Sequence, residues 1–334
     1  MSARETGGAL VFMTGATGFI GGRLARALTD RGYRLRCLVR TPARAAELTA
    51  LGAELLTGDA ADEELMRQGL AGARFACHLA GTYDLGAVDE AAMTRVNVAG
   101  TRAFISALRT SAVERAIHTS STVALGPAPD VGSEDDVYDG PYPSVYHRTK
   151  TEAHHMALAA QREGLPLVIV CPALVYGPGD NGPSGRYIQD VLRHRVPGLS
   201  TKPAWFSYAH IDDVVGGMVA ALERGRAGAT YVLSGEHVSV NEFTRRIAKL
   251  GGTWGPPLRL PPFMVRLTGS LMDLVGGLIG RRLPVSRELA DTAATGDRWL
   301  HSHARATAEL GYAPRPLDEG LPETVRDAQA RIGR

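Results

Sequence analysis

Behind the first apolar run of the chain, ALVFM at residues 9–13, stands the stretch TGATGFIGG, with Gly15, Gly18 and Gly21 spaced three apart. A helical pattern, GGRLARALTDRG, opens directly after it. Glycines at that spacing allow a tight turn and let backbone come close to a pyrophosphate, whose charge is met by the open N–H groups of the helix N-terminus. A strand, a glycine loop and a helix in this order form the first half of a βαβ unit, and the unit recurs along the chain.

Further short apolar runs follow at LRCLV (35–39), AELLT (53–57), RFACHLA (74–80), RAIHTS (115–120) and LVIVC (167–171). Between them lie segments such as NVAGTRAFISALRTS, with apolar residues at helical spacing. Near-continuous apolar strands alternating with helices imply a parallel sheet covered on both faces. Right-handed crossovers then predict an α/β fold with a doubly wound parallel sheet, its ligands bound at the carboxyl ends of the strands. After residue 175 the rhythm breaks into turn-rich loops, VYGPGDNGPSGR and PGLSTKPAW. The expected division is a dinucleotide-binding unit with the catalytic groups over residues 1–175. A smaller mixed lobe for the substrate covers 176–334, with some of its segments returning to the main sheet. Residues 262–280, PFMVRLTGSLMDLVGGLIG, read as an apolar helix that packs in the core, covers a cleft or subunit interface, or touches a membrane surface. SHARATAELG reads as a Ser-capped helix ending at Gly311.

Composition narrows the partners. A formal net charge of +2 over 334 residues gives no electrostatic case for nucleic acid. No apolar run approaches the roughly 18 residues that span a bilayer, so no integral membrane segment is expected. The opening MSARETGG is polar and lacks the pattern of a signal peptide. Cys37, Cys77 and Cys171 each fall in an apolar run and read as buried free thiols of a reducing compartment. The expected location is the cytoplasm.

The second strand carries the cofactor signal. A fold of this kind that binds NAD usually ends that strand with Asp or Glu, which holds the ribose 2′-hydroxyl. Here LRCLV ends in Arg40, with Arg44 four residues on. An arginine there pairs with a 2′-phosphate, which favours NADP (NADPH) over NAD. Asp59 and Ala60, in GDA, follow the third strand, where the carboxylate is positioned to accept from an adenine amino group. Leu79, Ala80 and Gly81, in HLAG, end the fourth, where small residues let backbone lie against the cofactor.

A second constellation is SVYHRTK, with Tyr146 four residues before Lys150. On a helix the two share a face, roughly 5–6 Å apart at Cβ. An ammonium there is expected to favour the phenolate and lower the tyrosine pKa toward neutrality. Only three lysines occur in the chain, so the placement is informative.

Together, TGATGFIG, GDA, HLAG, VNVAGT, HTSSTVALG, YHRTK, CPALVYGPGD, AHIDDVV and AELGYAPR resemble the extended short-chain dehydrogenases/reductases. The branch is the one that holds NAD(P)-dependent epimerases and dihydroflavonol-reductase-like enzymes. The elements run in that family's order from residue 10 to about 326. The resemblance implies a Rossmann fold, with Tyr146 as general acid/base, Lys150 as its partner and Ser121 as the third catalytic group. It places the cofactor against Gly15, Thr17, Gly18, Phe19, Ile20, Gly21, Arg40, Arg44, Asp59, Ala60, Leu79, Ala80, Gly81, Thr119, Lys150, Pro172 and Val175, and implies no metal. Relatives commonly dimerise through helices flanking the active site, so a homodimer is an expectation.

The departures narrow the chemistry. Dehydratases of the family carry acids just after the catalytic Ser/Thr, and here Thr122 and Val123 stand there. Cys171 stands where many relatives have Asn or Arg. Asn97 is read either as shaping the active-site helix or as serving a water relay. His154 and His155 point about 100° apart on a helix and read as surface residues unable to share a metal. An acid of HIDD is expected to cap the helix that follows, and SEDDVYDGPYP to form a mobile loop near the active site. Three functions remain open. The first is an NADPH-dependent reductase or reversible alcohol dehydrogenase acting on a carbonyl of a small, moderately apolar molecule. The others are a sugar or sugar-nucleotide epimerase with retained NAD(P), and a non-catalytic NADP-sensing protein.

Overall fold

The computed structural model describes residues 8–83, 89–279, 290–291 and 294–333. Of the polar opening segment only Gly8 falls among them. The six predicted strands form as β1 (Leu10–Thr14), β2 (Arg34–Val39), β3 (Glu54–Thr57), β4 (Phe75–His78), β5 (Arg115–Thr119) and β6 (Leu167–Pro172). A seventh strand, Thr230–Leu233, comes from far down the chain and pairs parallel with β6. The order across the sheet is Thr230–Leu233, β6, β5, β4, β1, β2, β3, with every pairing parallel.

Alternation along each strand feeds two cores. Val11 and Met13 point to one face, where they join Leu24 and Leu28 of α1 (Phe19–Thr29) and Met218 of the helix Ile211–Arg224. Phe12 points to the other, against Met66 of α2 (Glu63–Leu70), Phe104 of α3 (Gly100–Arg109) and Ala157 of α4 (Val145–Arg162). Both faces are dry, which explains why the strands read as continuous apolar runs. All three cysteines are buried and free on these strands.

The lobe has its own core around Tyr176, Ile188, Phe243 and Leu321. Its strands are β7 (Leu174–Tyr176), β8 (Gly198–Ser200), β9 (Trp205–His210), β11 (Glu236–Ser239), β12 (Leu258–Leu260) and β13 (Arg298–Trp299), with Thr230–Leu233 as β10. Strands β7, β11 and β13 pair with β9, and β12 pairs with β8. The lobe helices are α5 (Pro183–Leu192), α6 (Ile211–Arg224), α7 (Val240–Leu250), α8 (Pro262–Ile279), α9 (Ala304–Leu310) and α10 (Leu317–Ile332). As expected, α9 ends on Gly311, which is left-handed at φ 65°, but its N-cap is His303, which makes no side-chain capping bond, and not the expected serine. Helix α6 returns to the main sheet and α10 closes the lobe, so the two units share elements across residue 176.

Three local expectations are corrected. His154 is buried at 1% exposure and accepts or donates at 2.9 Å between its Nδ1 and Ser120 Oγ. Its place on α4 faces the sheet because α4 packs flat on β6. The cap of α6 is His210, whose Nδ1 accepts from the Asp212 N–H, while Asp213 is held by the Arg315 guanidinium at 2.9 Å. The acidic run is anchored at several points. Glu134 accepts from the Val232 N–H of β10, Asp136 from the Ser133 N–H, and Asp135 pairs with Arg305 at 2.8 Å.

Burial makes protonation costly for eight histidines among the described residues, and most so for five of them. Burial pushes His78 and His154 down to about 3, His147 and His301 down to about 4, and His118 well below the usual range. A histidine depressed in the folded state leaves stability intact above its unfolded pKa near 6.5 and erodes it as pH falls toward the folded value. At pH 5 the cost is about 2 kcal/mol for a histidine held near 3 or 4, as His78, His147, His154 and His301 are, against a total stability on the order of 5–15 kcal/mol. Urea midpoints measured from pH 7.5 to pH 4.5 are therefore expected to fall steeply below pH 6.5. A flat profile would exclude these histidines as neutral in the fold.

Candidate active site

Strand order reverses at β1, which has β2 on one side and β4 on the other. The chain leaves β2 and β4 in opposite directions there and opens a crevice at the carboxyl ends. The glycine loop after β1 turns into it. Gly15 adopts φ 71°, and a Cβ on it would meet the Leu79 carbonyl oxygen at 2.6 Å. A Cβ on Gly21 would meet the Gly15 oxygen at 2.1 Å, so α1 packs on its own loop only with glycine there. Gly18 caps α1 without a side chain, and no acid stands in the first turn. The first amides of α1 are thus left for an anion.

The second half of the site comes from β5 and α4. Ser121 lies two residues beyond β5, where its Oγ accepts from the Val123 N–H and caps a short turn over Thr122–Leu125. Ser144 caps α4 and also meets the His147 Nδ1 at 2.8 Å. In the first turn of α4, Tyr146 brings its hydroxyl near the Ser121 side chain, which acts to lower its pKa. Lys150 is buried and its Nζ donates to the Thr119 carbonyl at 2.8 Å.

The charge states differ from the expected pattern. Burial raises the Tyr146 hydroxyl above its ordinary value, against the smaller opposing effect of the Ser121 hydrogen bond. Burial lowers Lys150 to about 8. The ammonium points at Thr119 and does not govern the phenol, so the predicted lowering of Tyr146 is absent from this arrangement.

Asn97 acts as a clamp. It lies in a π-helical turn, Arg95–Ala99, where its Oδ1 accepts from the Thr82 N–H at 2.8 Å and its Nδ2 donates to the Thr82 carbonyl at 3.2 Å. The same Nδ2 donates to Thr149 Oγ1 of α4 at 3.0 Å. The loop after β4 is thereby tied to the helix that carries Tyr146 and Lys150, which is the helix-shaping role of the two considered.

One cavity of 640 Å³ joins these parts. Ser121, Tyr146 and Lys150 line it together with Gly15, Thr17, Gly18, Phe19, Ile20, Gly21, Arg40, Asp59, Ala60, Leu79, Ala80, Gly81, Thr119, Pro172 and Val175. Arg44 stands apart from the lining; it ends an exposed turn over Pro42–Arg44. Asp59 is held by the Ala61 N–H at 2.8 Å and by Arg95 at 3.1 Å. Burial opposes ionisation of its carboxyl, but these contacts and Arg40 outweigh it and lower the pKa.

Several lining residues carried no sequence signal. Tyr83 packs its ring 4.2 Å from that of Tyr146, and Trp299 lies 5.1 Å from His147. Tyr187, Phe206, Asn241 and Leu260 enter from the lobe. They belong to elements scattered over more than 100 positions, and no spacing rule connects them. Only the tyrosine next to HLAG stood close to a recognised motif.

Known proteins agree with this geometry. Residues 11–234 match the model of the NAD dependent epimerase/dehydratase family. The chain is 32% identical over 322 residues to sterol demethylase protein B of Methylococcus capsulatus, covering 94% of this chain and 96% of the relative. It is 29% identical over 324 residues to the 4-hydroxy-2-methyl-3-oxo-4-farnesyl-3,4-dihydroquinoline-1-oxide ketoreductase of Stigmatella aurantiaca, covering 95% and 96%. Among solved structures, PA4631, a nucleoside-diphosphate-sugar epimerase from Pseudomonas aeruginosa, superposes with a TM-score of 0.77 at 26% identity, covering 97% of this chain and 98% of its own. With its seven-stranded parallel sheet, its glycine loop and the Ser121, Tyr146 and Lys150 constellation in one crevice, the chain belongs to the NAD dependent epimerase/dehydratase family of the extended short-chain dehydrogenases/reductases.

Proposed function

We propose that the protein is an NADP(H)-dependent reductase that converts a ketone or aldehyde of a small, moderately apolar molecule to the alcohol. The observation that carries this reading is the character of the cavity on its lobe side. Val196, Leu199, Phe206, Phe243, Leu260 and Val265 line it there, and among the described residues its only cationic lining groups are Arg40 and Lys150. Arg40 follows β2 and Lys150 sits beneath the catalytic turn, so neither faces the lobe. A nucleotide sugar brings a diphosphate that needs cations or helix amides to replace its water. An apolar wall instead suits a carbonyl compound with hydrocarbon bulk.

The residues also suit the dinucleotide. The uncapped start of α1 and the Gly15 turn fit the pyrophosphate, and Arg40, exposed at the mouth, fits a 2′-phosphate. A bound nicotinamide supplies the hydride. Ser121 and Tyr146 then hold the substrate oxygen, and the Tyr146 hydroxyl donates a proton to it as negative charge develops. A raised phenol pKa keeps that proton in place at neutral pH, which suits reduction. Lys150 holds the Thr119 carbonyl at the end of β5 and so steadies the turn that carries Ser121. In this reading residues 1–175 supply the cofactor unit and residues 176–334 supply the substrate lobe, with β10 and α6 as the lobe's return to the main sheet.

Tyr146→Phe is expected to reduce kcat by roughly 10²–10⁴-fold while leaving NADPH affinity within about twofold, read by turnover and fluorescence titration. Unchanged turnover would remove Tyr146 from the acid role. Arg40→Asp is expected to weaken NADPH binding about 10–100-fold relative to NADH, since one charge-assisted pair is at stake. An equal effect on both cofactors argues against a 2′-phosphate contact. A carbonyl panel should give one NADPH consumed per alcohol formed. Turnover of a nucleotide sugar on tightly retained cofactor, with no net consumption, would establish the epimerase reading instead.

A further inference from the structure

The exposed large apolar side chains are concentrated in one region. Among the described residues thirteen such side chains are exposed, and eight of them lie between residues 250 and 274. Helix α8 presents the largest group: Phe263 at 68% exposure, Leu267 at 65%, Leu271 at 58% and Leu274 at 63%. Their spacing of four, four and three places them within about 80° of one another around the helix. Val265 and Thr268, on other sides of the same helix, line the cavity. Helix α8 therefore has an apolar outer stripe and an inner face on the substrate space.

Trp254, 67% exposed, and Leu258, 52% exposed, extend the surface beyond the helix. Trp254 stacks on His194 at 4.6 Å, and Leu258 is registered with Gly198 where β12 meets β8. Two chain segments thus meet beside α8. Residues 191–204 and 249–272 contain six Lys or Arg and no Asp or Glu. Arg193 and Arg259 are exposed. Neither is held in an ion pair among the described residues, although Arg193 lies near enough to Asp190 to act on its carboxyl, while Arg266 is held by Asp291 at 3.5 Å and Arg195 by Asp190 at 3.7 Å.

We propose that this surface docks on an anionic lipid bilayer, with the α8 stripe in the headgroup–acyl boundary and Arg193 and Arg259 on lipid phosphates. An interfacial helix joins an apolar face to basic flanks, and each cation near an anionic leaflet adds to binding. Charge decides against a second copy of the chain as the occupant. A two-fold interface on this patch would set a surface with a surplus of arginine and lysine over its bordering acids, Asp190 and Asp273, against itself. The position of the patch gives the docking a purpose: an apolar substrate leaving the bilayer would reach the cavity past the inner side of α8. That purpose rests on the reductase reading, but the docking surface does not.

The test is sedimentation of the full chain with vesicles of phosphatidylcholine containing about 30 mol% phosphatidylglycerol, beside vesicles of phosphatidylcholine alone. Two variants accompany it: Phe263→Ser/Leu267→Ser/Leu271→Ser, and Arg193→Glu/Arg259→Glu. Each is checked for fold by circular dichroism and for NADPH binding. The wild type is expected to bind the anionic vesicles, and each variant to bind at least about tenfold more weakly. Raised salt should weaken the wild type strongly. The proposal is overturned if the wild type stays in the supernatant, or if both variants bind as it does. It is also overturned if the wild type forms a dimer that the triple variant abolishes without vesicle binding, which would assign the patch to a second copy. NADPH-dependent carbonyl reduction is scored separately in detergent-free buffer, so failure of docking and failure of the reductase reading are distinguishable.

Discussion

Strands that are parallel and buried on both faces can be approached by a ligand only at their ends, and β1 is where those ends separate. Its neighbours β2 and β4 lead away on opposite sides, so the loop after β1 has no strand above it. Among the described residues, the candidate site groups are placed relative to that opening. The glycines allow backbone to turn there, Asn97 ties the loop after β4 to α4, and the burial of Lys150 against Thr119 holds the base of the pocket.

The lobe works by a different logic. Its strands are short and its pairings local, and it is held to the main sheet by α6 and by the Arg315–Asp213 pair at the start of the last helical segment. Its contribution to the cavity is a wall of side chains from β8, β9, α7 and β12, with Leu199, Phe206, Phe243 and Leu260 among them. An apolar wall beside an apolar outer stripe on α8 gives this end most of the exposed large apolar side chains among the described residues. The opposite end, at Arg40 and Asp59, is polar and open. The cavity accordingly runs from a charged mouth to a lobe side that is largely apolar but also carries Tyr187 and Asn241.

Where sequence reasoning succeeded, the signal was local. The six strands of the main sheet were legible because burial on both faces leaves each one almost continuously apolar. The crevice residues were legible because the turn chemistry at Gly15 and Gly21 and the helical spacing of Tyr146 and Lys150 operate within a few positions. Where it failed, the reason was non-local. His154 looked like one of a polar pair, and only the packing of α4 against β5 and β6 shows that it is buried on Ser120. The acidic run looked mobile, yet Glu134 reaches β10, which lies 98 positions away. Tyr146 was expected to feel Lys150, but the direction taken by the lysine side chain depends on the Thr119 carbonyl in another strand.

By itself the sequence determined the sheet and the site of the glycine loop, since each follows from hydrophobic period or from turn geometry over short distances. Helix spacing put Tyr146 and Lys150 on one face, and the family resemblance made them and Ser121 the catalytic candidates. Tertiary structure decided the charge states within the site, the side chains that wall the substrate space and the face of α8 left to solvent. These depend on which distant segments are brought to within a few ångströms of one another, and on how much water that contact removes.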